Sequence, residues 1–230
     1  NKKQIRLSQK SLQFRTLAQN NKYFYAINIE SPAYFFQVDK KTLDSKVVFN
    51  DNDPTAFYDA LKFTDHNFGL AFSDPSANQR LNISQTRNGG ANWINCKNCK
   101  DFPYLEKGEA AFAASNTNIA SFRNVIWIAT GGAKSRIYRM KNKDCNWQVF
   151  ETPFTQGTSS QGIYSIDFYD KNFGIAVGGD YTKQSDNINN IATTNDGGQT
   201  WQIQASGQNA GYMTCVKFRP KTKGKEIVAV

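Results

Sequence analysis

The chain has 230 residues, a formal net charge of +9 and 39% hydrophobic residues, and it contains 17 Phe, 10 Tyr and 4 Trp. This length allows one large all-β domain or two small ones, and the sequence has no run of about 18 apolar residues that would predict a membrane-spanning helix. The positive charge favours an acidic partner, but the basic residues are too scattered for a nucleic-acid-binding surface, so no nucleic acid partner is expected.

Aromatic residues favour strands, and no long segment places apolar residues at helical spacing, so the predicted elements are strands. The first unit begins near Leu12, continues with NKYFYAINI and reaches a degenerate turn, QVDKKTLD, which contains Asp39. The second unit begins near Phe57 with YDALKF, continues with FTDHNFGLAF and reaches the turn TRNGGANW, which contains Asn88 and Trp93. Both units therefore run through strands before a polar turn.

The third unit begins near Ala111, contains NVIWIATGG and SRIYRM, and reaches the turn MKNKDCNW, which ends at Trp147. The fourth begins near Ile163 with IYSIDF, continues with GIAVGGDY and NIATT, and ends with WQIQA. A fifth begins near Gly211 with GYMTCVKF and stops at EIVAV, where its second strand is expected. We therefore expect the missing blades to come from the rest of the natural chain or from a partner.

The segment TTNDGGQTW at 193–201 fits the Asp-box pattern S/T-x-D-x-G-x-T-W at every defined position. Glycine tolerates the positive φ of a tight hairpin, and an aspartate can accept hydrogen bonds from the amides of its own turn. A tryptophan after the turn can cover it and fill the outer core of the sheet. We therefore expect structural rather than catalytic roles for the turn residues, which are Asp39, Asn88, Trp93, Trp147, Asp196, Gly198, Thr200 and Trp201.

The turn tryptophans recur at a constant step, because 54 residues separate Trp93 from Trp147 and 54 separate Trp147 from Trp201. A period near 50 residues with four strands per period is typical of a β-propeller, in which neighbouring four-stranded antiparallel blades bury each other's faces. Residues 1–230 are therefore predicted to form a single all-β propeller domain with about four and a half blades. Four aromatic residues are expected between blades, namely Phe63, Phe112, Phe168 and Phe218.

Loops that follow the second strand of each unit share one end of the propeller with the loops between blades. Loops on a rigid scaffold often carry function, so this face is the expected binding surface. The candidate binding residues are Ser73, Asp74, Arg80, Lys134, Arg136, Asp180, Tyr181 and Lys183. An alternative stays open, in which the glycines and aspartates of these loops only shape tight turns.

The four cysteines are too few for a disulfide-built scaffold in a chain of this length. Cys96 and Cys99 form a C-x-x-C pair, but a zinc site needs a second pair, and Cys145 and Cys215 are single. We expect either a local disulfide between Cys96 and Cys99 or plain thiols. No metal, no cofactor and no catalytic residue is expected.

The segments FSDP, GEAAFAAS, WIATGGAKSR and GIAVGGDY, together with TTNDGGQTW, resemble those of bacterial BNR/Asp-box repeat proteins. These proteins are similar to the photosystem II stability and assembly factor family, and the resemblance covers nearly the whole chain. It implies a seven-bladed propeller that acts outside the cytoplasm, in the periplasm, at the cell surface or as a secreted protein. It further implies a non-catalytic assembly role on a protein partner, such as a membrane-associated complex, without a cofactor.

Two other functions are compatible with the sequence. A sialidase-like glycoside hydrolase also has Asp boxes, but it needs an arginine cluster, a tyrosine nucleophile and carboxylates, and no such set is evident here. A structural subunit of an envelope or membrane-associated complex would suit an open ring with a basic surface. Catalysis by histidine is disfavoured because His66, the only histidine, lies in a polar turn.

Overall fold

The computed structural model describes residues 3–75, 79–96, 104–113 and 115–230. Its regular elements are antiparallel β-strands, and the described part of the chain contains no helix and hence none that could cross a membrane. The chain divides into two compact units, of which the first holds residues 3–75 and 81–96 and the second holds residues 79–80, 104–113 and 115–230. The prediction of an all-β fold built from four-stranded antiparallel sheets is confirmed.

The first unit contains two sheets, each of which follows chain order from one edge to the other. The first sheet comprises β1 (Phe14–Gln19), β2 (Tyr23–Asn28), β3 (Ala33–Asp39) and β4 (Ser45–Asp51). The second comprises β5 (Tyr58–Phe63), β6 (Gly69–Pro75), β7 (Leu81–Thr86) and β8 (Ile94–Asn95). Strand β5 packs against β1 and β2, so the two sheets bury apolar faces against each other.

The second unit contains two further sheets and a strand pair. The third sheet comprises β10 (Ile119–Phe122), β11 (Val125–Ala129), β13 (Arg136–Lys141) and β14 (Trp147–Glu151). The fourth comprises β15 (Gln161–Phe168), β16 (Gly174–Asp180), β17 (Ile191–Thr194) and β18 (Gln202–Ile203), and it is extended beside β15 by β12 (Gly131–Gly132) and β9 (Glu109–Ala110). Strands β19 (Val216–Phe218) and β20 (Ile227–Ala229) form the pair.

The first strand of the third sheet differs in position from the sequence-based expectation. It begins at Ile119 rather than near Ala111, and Phe122 lies at its end. Residues Glu109–Ala110 instead pair with β12, since the Glu109 carboxylate is held by buried groups of the third sheet. Phe112 consequently stacks on Tyr164, with ring centroids 4.1 Å apart.

Aromatic rings join neighbouring sheets in the second unit. The Trp127 ring on β11 stacks on Phe168 of β15 at 3.7 Å, and Phe168 meets the Trp201 ring edge-on at 6.1 Å. The indole nitrogen of Trp127 also donates a hydrogen bond of 2.9 Å to the carbonyl of Gly197 in the turn of the next sheet. Stacked and edge-on pairs of this kind stabilise beyond the area they bury. Each turn is thereby tied to the sheet that precedes it.

The same arrangement recurs in the first unit. Tyr25 on β2 stacks on Phe63 of β5 at 4.6 Å, and Phe63 meets Trp93 edge-on at 5.9 Å. The Tyr25 hydroxyl donates a hydrogen bond to the carbonyl of Gly89 in the following turn. Trp93 and Trp201 therefore occupy corresponding settings, as a repeated unit requires.

The glycine that opens β16 lies directly beneath an aromatic ring. Gly174 pairs with Phe168 across the strands, and a Cβ at Gly174 would approach the Phe168 ring to 2.6 Å. Gly174→Ala would therefore push this ring away from Trp127, and we expect a loss of about 1–3 kcal/mol in unfolding free energy measured by urea denaturation. The cost should shrink when Gly174→Ala is combined with Phe168→Leu. An equal cost in both backgrounds would show that the ring is not the cause.

Candidate binding site

The turn at 194–201 is closed by its own side chains. The Asp196 carboxylate accepts hydrogen bonds from the amides of Gln199 and Thr200, each at 2.9 Å, and from the Thr200 hydroxyl at 2.6 Å. The Trp201 indole nitrogen donates to the Gly198 carbonyl at 3.1 Å, and Gly198 has a φ of 84° that favours glycine. Burial raises the pKa of Asp196, but these hydrogen bonds outweigh it and hold the pKa below its ordinary value.

Asp196→Ala should lower the unfolding free energy at neutral pH by about 1–2 kcal/mol, as loss of a helix-capping side chain does. Because the folded-state pKa of Asp196 is lowered, its contribution is present above the ordinary carboxyl pKa and is lost as the pH falls through the folded value. The control is Asp144→Ala, since that exposed carboxylate accepts one bond, from the Asn146 amide at 3.0 Å. Equal costs for the two variants, measured by denaturation between pH 3 and pH 7, would contradict the special role of Asp196.

The other predicted turn residues lie in comparable places. Asn88 accepts hydrogen bonds from the Thr86 hydroxyl at 3.0 Å and the Asn92 amide at 2.9 Å, so an amide oxygen replaces the carboxylate. Asp39 accepts from the amides of residues 41 and 42. Trp147 is buried and begins β14. The Asp39 and Asn88 side chains therefore accept hydrogen bonds from groups of their own turns.

In the first unit, the predicted loop residues follow β6 closely. Ser73 is buried, and its hydroxyl oxygen accepts a hydrogen bond of 2.7 Å from the amide of Phe57. The amide of Asp74 donates to the Phe57 carbonyl at 3.0 Å, and the residue is half-buried. Ser73 therefore secures the start of β5, which leaves Asp74 as the more accessible of the two.

A buried carboxyl beside this loop was not expected from the sequence. Asp59 lies where the β5–β6 register shifts, and a bulge of this kind re-aims a side chain. The residue is 1% exposed, and neither carboxyl oxygen forms a well-aligned hydrogen bond to the described residues. Burial raises the pKa of Asp59 well above its ordinary value, and the negative charge of Asp74 raises it further, while Arg15 and the Asp74 amide oppose the shift.

In the second unit, Arg136 is buried in an ion pair. Its guanidinium contacts both carboxylate oxygens of Glu109, at 2.5 Å to Oε2 and 3.2 Å to Oε1, and also donates to the Tyr138 hydroxyl at 2.7 Å. Lys134, in the same loop, is half exposed and lies 3.8 Å from Glu151. Arg136 thus stabilises the interior of its sheet, whereas Lys134 is available at the surface.

Arg80 is also engaged within the second unit. Its guanidinium donates to the Tyr104 hydroxyl at 2.9 Å and lies over the ring, 4.7 Å from the centroid. Such a cation–π contact fixes the side chain without burying it. Arg136 donates to the carbonyl of the same tyrosine at 2.9 Å, so Tyr104 contacts two of the predicted loop residues of this unit.

The turn after β16 presents the remaining predicted residues. Asp180 is buried and accepts hydrogen bonds from the Thr182 amide at 2.9 Å and the Thr182 hydroxyl at 2.6 Å, which hold its pKa below the ordinary value. Tyr181 is 50% exposed, and Lys183 is exposed. Asp180 therefore shapes the turn, while the side chains at 181 and 183 face solvent.

An aromatic cluster lies next to this turn. Tyr164, a buried residue at the register shift of β15, stacks on Phe112 and meets the Tyr212 ring edge-on at 4.9 Å. Its hydroxyl donates to the Ser160 carbonyl at 2.9 Å. Gly179, with a φ of 133°, allows close approach, since a Cβ there would lie 3.2 Å from the Cα of Tyr212. Sequence reasoning missed this cluster because its members are far apart in the chain.

Within residues 3–75, 79–96, 104–113 and 115–230, no group of three or more histidine, cysteine or acidic side chains is placed to hold a metal ion. Cys99 lies outside the described residues, so its pairing with Cys96 stays a prediction.

Comparison with known proteins gives a fold likeness only. No family model matches the chain, and no curated protein matches it, so the family resemblance stays a prediction. The extracellular domain of BT4673 from B. thetaiotaomicron superimposes with a TM-score of 0.59 at 10% identity, over 93% of this chain and 26% of that one. The computationally designed protein Ika8 gives a TM-score of 0.56 at 12% identity, over 94% of this chain and 55% of that one.

These propeller-type neighbours establish a propeller-like fold. The chain spans about half the length of Ika8 and about a quarter of the BT4673 domain, so it corresponds to part of each. YCF48 bound to a D1 peptide is also matched, at 12% identity over 94% of this chain and 76% of that one, but its TM-score of 0.41 is too low to show a shared fold.

Proposed function

We propose that this propeller is a non-catalytic module that binds a protein partner through the turn after β16. The observation that supports this most directly is the pairing of half-exposed Tyr181 with exposed Lys183 on a turn fixed by Asp180. A tyrosine offers a large contact area at small entropic cost, and it is enriched among residues that dominate binding energy. We name Tyr181, Lys183 and the adjacent Tyr212 the tyrosine face.

The rigidity of the tyrosine face supports a binding role. The amide of Tyr212 donates to the Gln184 carbonyl at 2.9 Å, and the amide of Met213 donates to the Gly178 carbonyl at 3.0 Å. These bonds join the turn to the segment that carries Tyr212, so the backbone of the tyrosine face is already ordered and binding costs less conformational entropy. With the net charge of +9, an acidic peptide segment is the partner chemistry that fits best.

The sialidase-like alternative is less well supported. Recognition of a substrate carboxylate needs free guanidinium groups. Arg136 is committed to Glu109, and Arg139 donates to the Gly197 carbonyl at 2.8 Å and to Gln148 at 2.9 Å. We also propose, from the family resemblance, that the protein acts outside the cytoplasm as an assembly factor for a membrane-associated complex.

Selection from a random dodecapeptide phage library on the immobilised chain tests the proposal. We expect enrichment of acidic and aromatic peptides, and Tyr181→Ser combined with Lys183→Ser should weaken their binding by about tenfold or more, as for loss of a hot spot. The matched control is Tyr169→Ser with Lys171→Ser, an exposed pair of the same spacing at the opposite end of β15 and β16. Equal weakening by both double variants, or by neither, would contradict the assignment.

A further inference from the structure

A cleft lies in the first unit, at the end of β6 opposite Ser73 and Asp74. Three turns meet there, namely those joining β1 to β2, β3 to β4 and β5 to β6, and they enclose an open cleft of about 790 Å³. This volume is within the range of about 300–1,000 Å³ that is usual for small-ligand sites. Most of its lining residues are polar, so a polar or charged ligand would fit it.

Hydrogen bonds between the turns fix the walls of the cleft. The Asn20 side-chain nitrogen donates to the Gly89 carbonyl at 3.1 Å and to the His66 carbonyl at 3.4 Å. Its side-chain oxygen accepts hydrogen bonds from the amides of Lys22 and Tyr23. Asn20 therefore holds the turns of two neighbouring sheets together, and the cleft is formed before any ligand arrives.

Lys40 is held in place at the wall of the cleft. The Lys40 ammonium donates to the Gln19 side-chain oxygen at 2.7 Å and to the Asn20 carbonyl at 2.6 Å, and it lies over the Phe24 ring at 4.8 Å. An ammonium has three donors, and the third has no protein partner within the described ranges. Because two partners fix the group, its remaining donor and its charge are available at a defined position.

Further donors line the same cleft. The side chains of Gln19 and Asn21 belong to its walls, and the Asn21 amide nitrogen also lies 3.4 Å from the ring nitrogen Nε2 of His66. Each side-chain amide has two N–H donors, so a ligand oxygen that enters the cleft can accept a hydrogen bond from them. Asp65 is the one carboxylate among the described lining residues, and it accepts hydrogen bonds from the amides of residues 67 and 68, at 2.8 and 2.7 Å.

From this excess of donors around one cation, we infer that the cleft binds an oxyanion group, that is, a sulfate, phosphate or carboxylate. Lys40 supplies the charge, and the side-chain amides of Gln19 and Asn21 supply further hydrogen bonds. Charge-assisted hydrogen bonds to oxyanions are roughly twice as strong as neutral ones, which suits a pre-formed donor set. The ligand is a free anion or an anionic group on a larger molecule, and every lining residue of the cleft belongs to the first unit.

Titration of the full chain with sodium sulfate, phosphate or acetate, followed by NMR at constant ionic strength kept with chloride, tests this inference. We expect saturable shifts confined to the cleft, and Lys40→Met should raise the sulfate Kd by about tenfold while retaining the contact with Phe24. The control is Lys41→Met, an exposed neighbour outside the lining, which should leave the Kd within about twofold.

Asn21→Ala removes one of the amide donors of the lining at an exposed position, so it should raise the sulfate Kd several-fold without unfolding the protein. Tighter binding of sulfate and phosphate than of acetate would identify a tetrahedral anion, and the reverse order would identify a carboxylate. The inference is overturned if the three anions act no differently from chloride, or if Lys40→Met and Lys41→Met have the same effect. Unchanged binding in Asn21→Ala would overturn the assigned role of the Asn21 amide.

Discussion

Arg136→Met should lower the unfolding free energy by about 3–5 kcal/mol, because it leaves a buried carboxylate without its charge partner. The Glu109 side chain is 0% exposed, and the Arg136 side chain is 7% exposed. Glu109 also accepts hydrogen bonds from the Tyr138 hydroxyl at 3.1 Å, the Thr130 hydroxyl at 2.5 Å and the Glu106 amide at 2.8 Å. Burial lowers the pKa of Arg136, but the bond to Glu109 and nearby negative charge outweigh this and raise it.

The matched control for Arg136→Met is Lys134→Met in the same loop. Lys134 and Glu151 are 45% and 63% exposed, and their separation is 3.8 Å, so this pair should contribute about 0–1 kcal/mol. Both values come from urea denaturation monitored by tryptophan fluorescence. The double variant Arg136→Met, Glu109→Gln should recover part of the loss, since the unpaired charge is then removed. A cost for Arg136→Met as small as that for Lys134→Met would contradict the buried ion pair.

Asp59→Leu should stabilise the protein at neutral pH by about 1–3 kcal/mol, because it removes a buried carboxyl whose oxygens form no well-aligned hydrogen bond to the described residues. The folded-state pKa of Asp59 is raised above its ordinary value, so the folded protein retains this proton to higher pH than the unfolded chain does. The stability associated with Asp59 is therefore greatest below the ordinary carboxyl pKa, and it is lost as the pH rises towards the raised value.

Denaturation of both proteins between pH 3 and pH 8 isolates the Asp59 contribution as the difference between the two curves. The gain from Asp59→Leu should grow with pH, and Asp59→Asn should remove the pH dependence even though it retains a polar group. Asp74→Asn should reduce the dependence, because the Asp74 charge raises the pKa of Asp59. A difference that is constant with pH would show that the carboxyl does not titrate in this range.

The strands were predictable from the sequence because each unit combines strand-forming residues with a polar turn. The predicted strand WQVFE coincides with β14, and SRIYRM lies within one residue of β13. The pattern T-x-D-x-G-x-T-W specifies a turn through local hydrogen bonds, so no distant contact is needed to recognise it. The all-β architecture follows from such local signals, repeated along the chain.

The candidate sites were less predictable, because they depend on residues that are far apart in the chain. The sequence places Arg136 in a polar loop, which predicts an exposed side chain. The fold instead brings it to Glu109, 27 positions away in the chain. Asp59 reads as part of a strand, and its burial follows from a register shift that has no clear sequence signal. The equivalence of Phe112 with the first-strand aromatics was inferred from spacing, whereas the structure stacks it on Tyr164.

A crystal structure of the chain with the most enriched selected peptide tests the central functional claim most directly. The proposed function predicts that the peptide contacts Tyr181, Lys183 and Tyr212, with its acidic side chain within hydrogen-bonding distance of the Lys183 ammonium. A peptide bound at the opposite end of β15 and β16, against Tyr169 and Lys171, would contradict it.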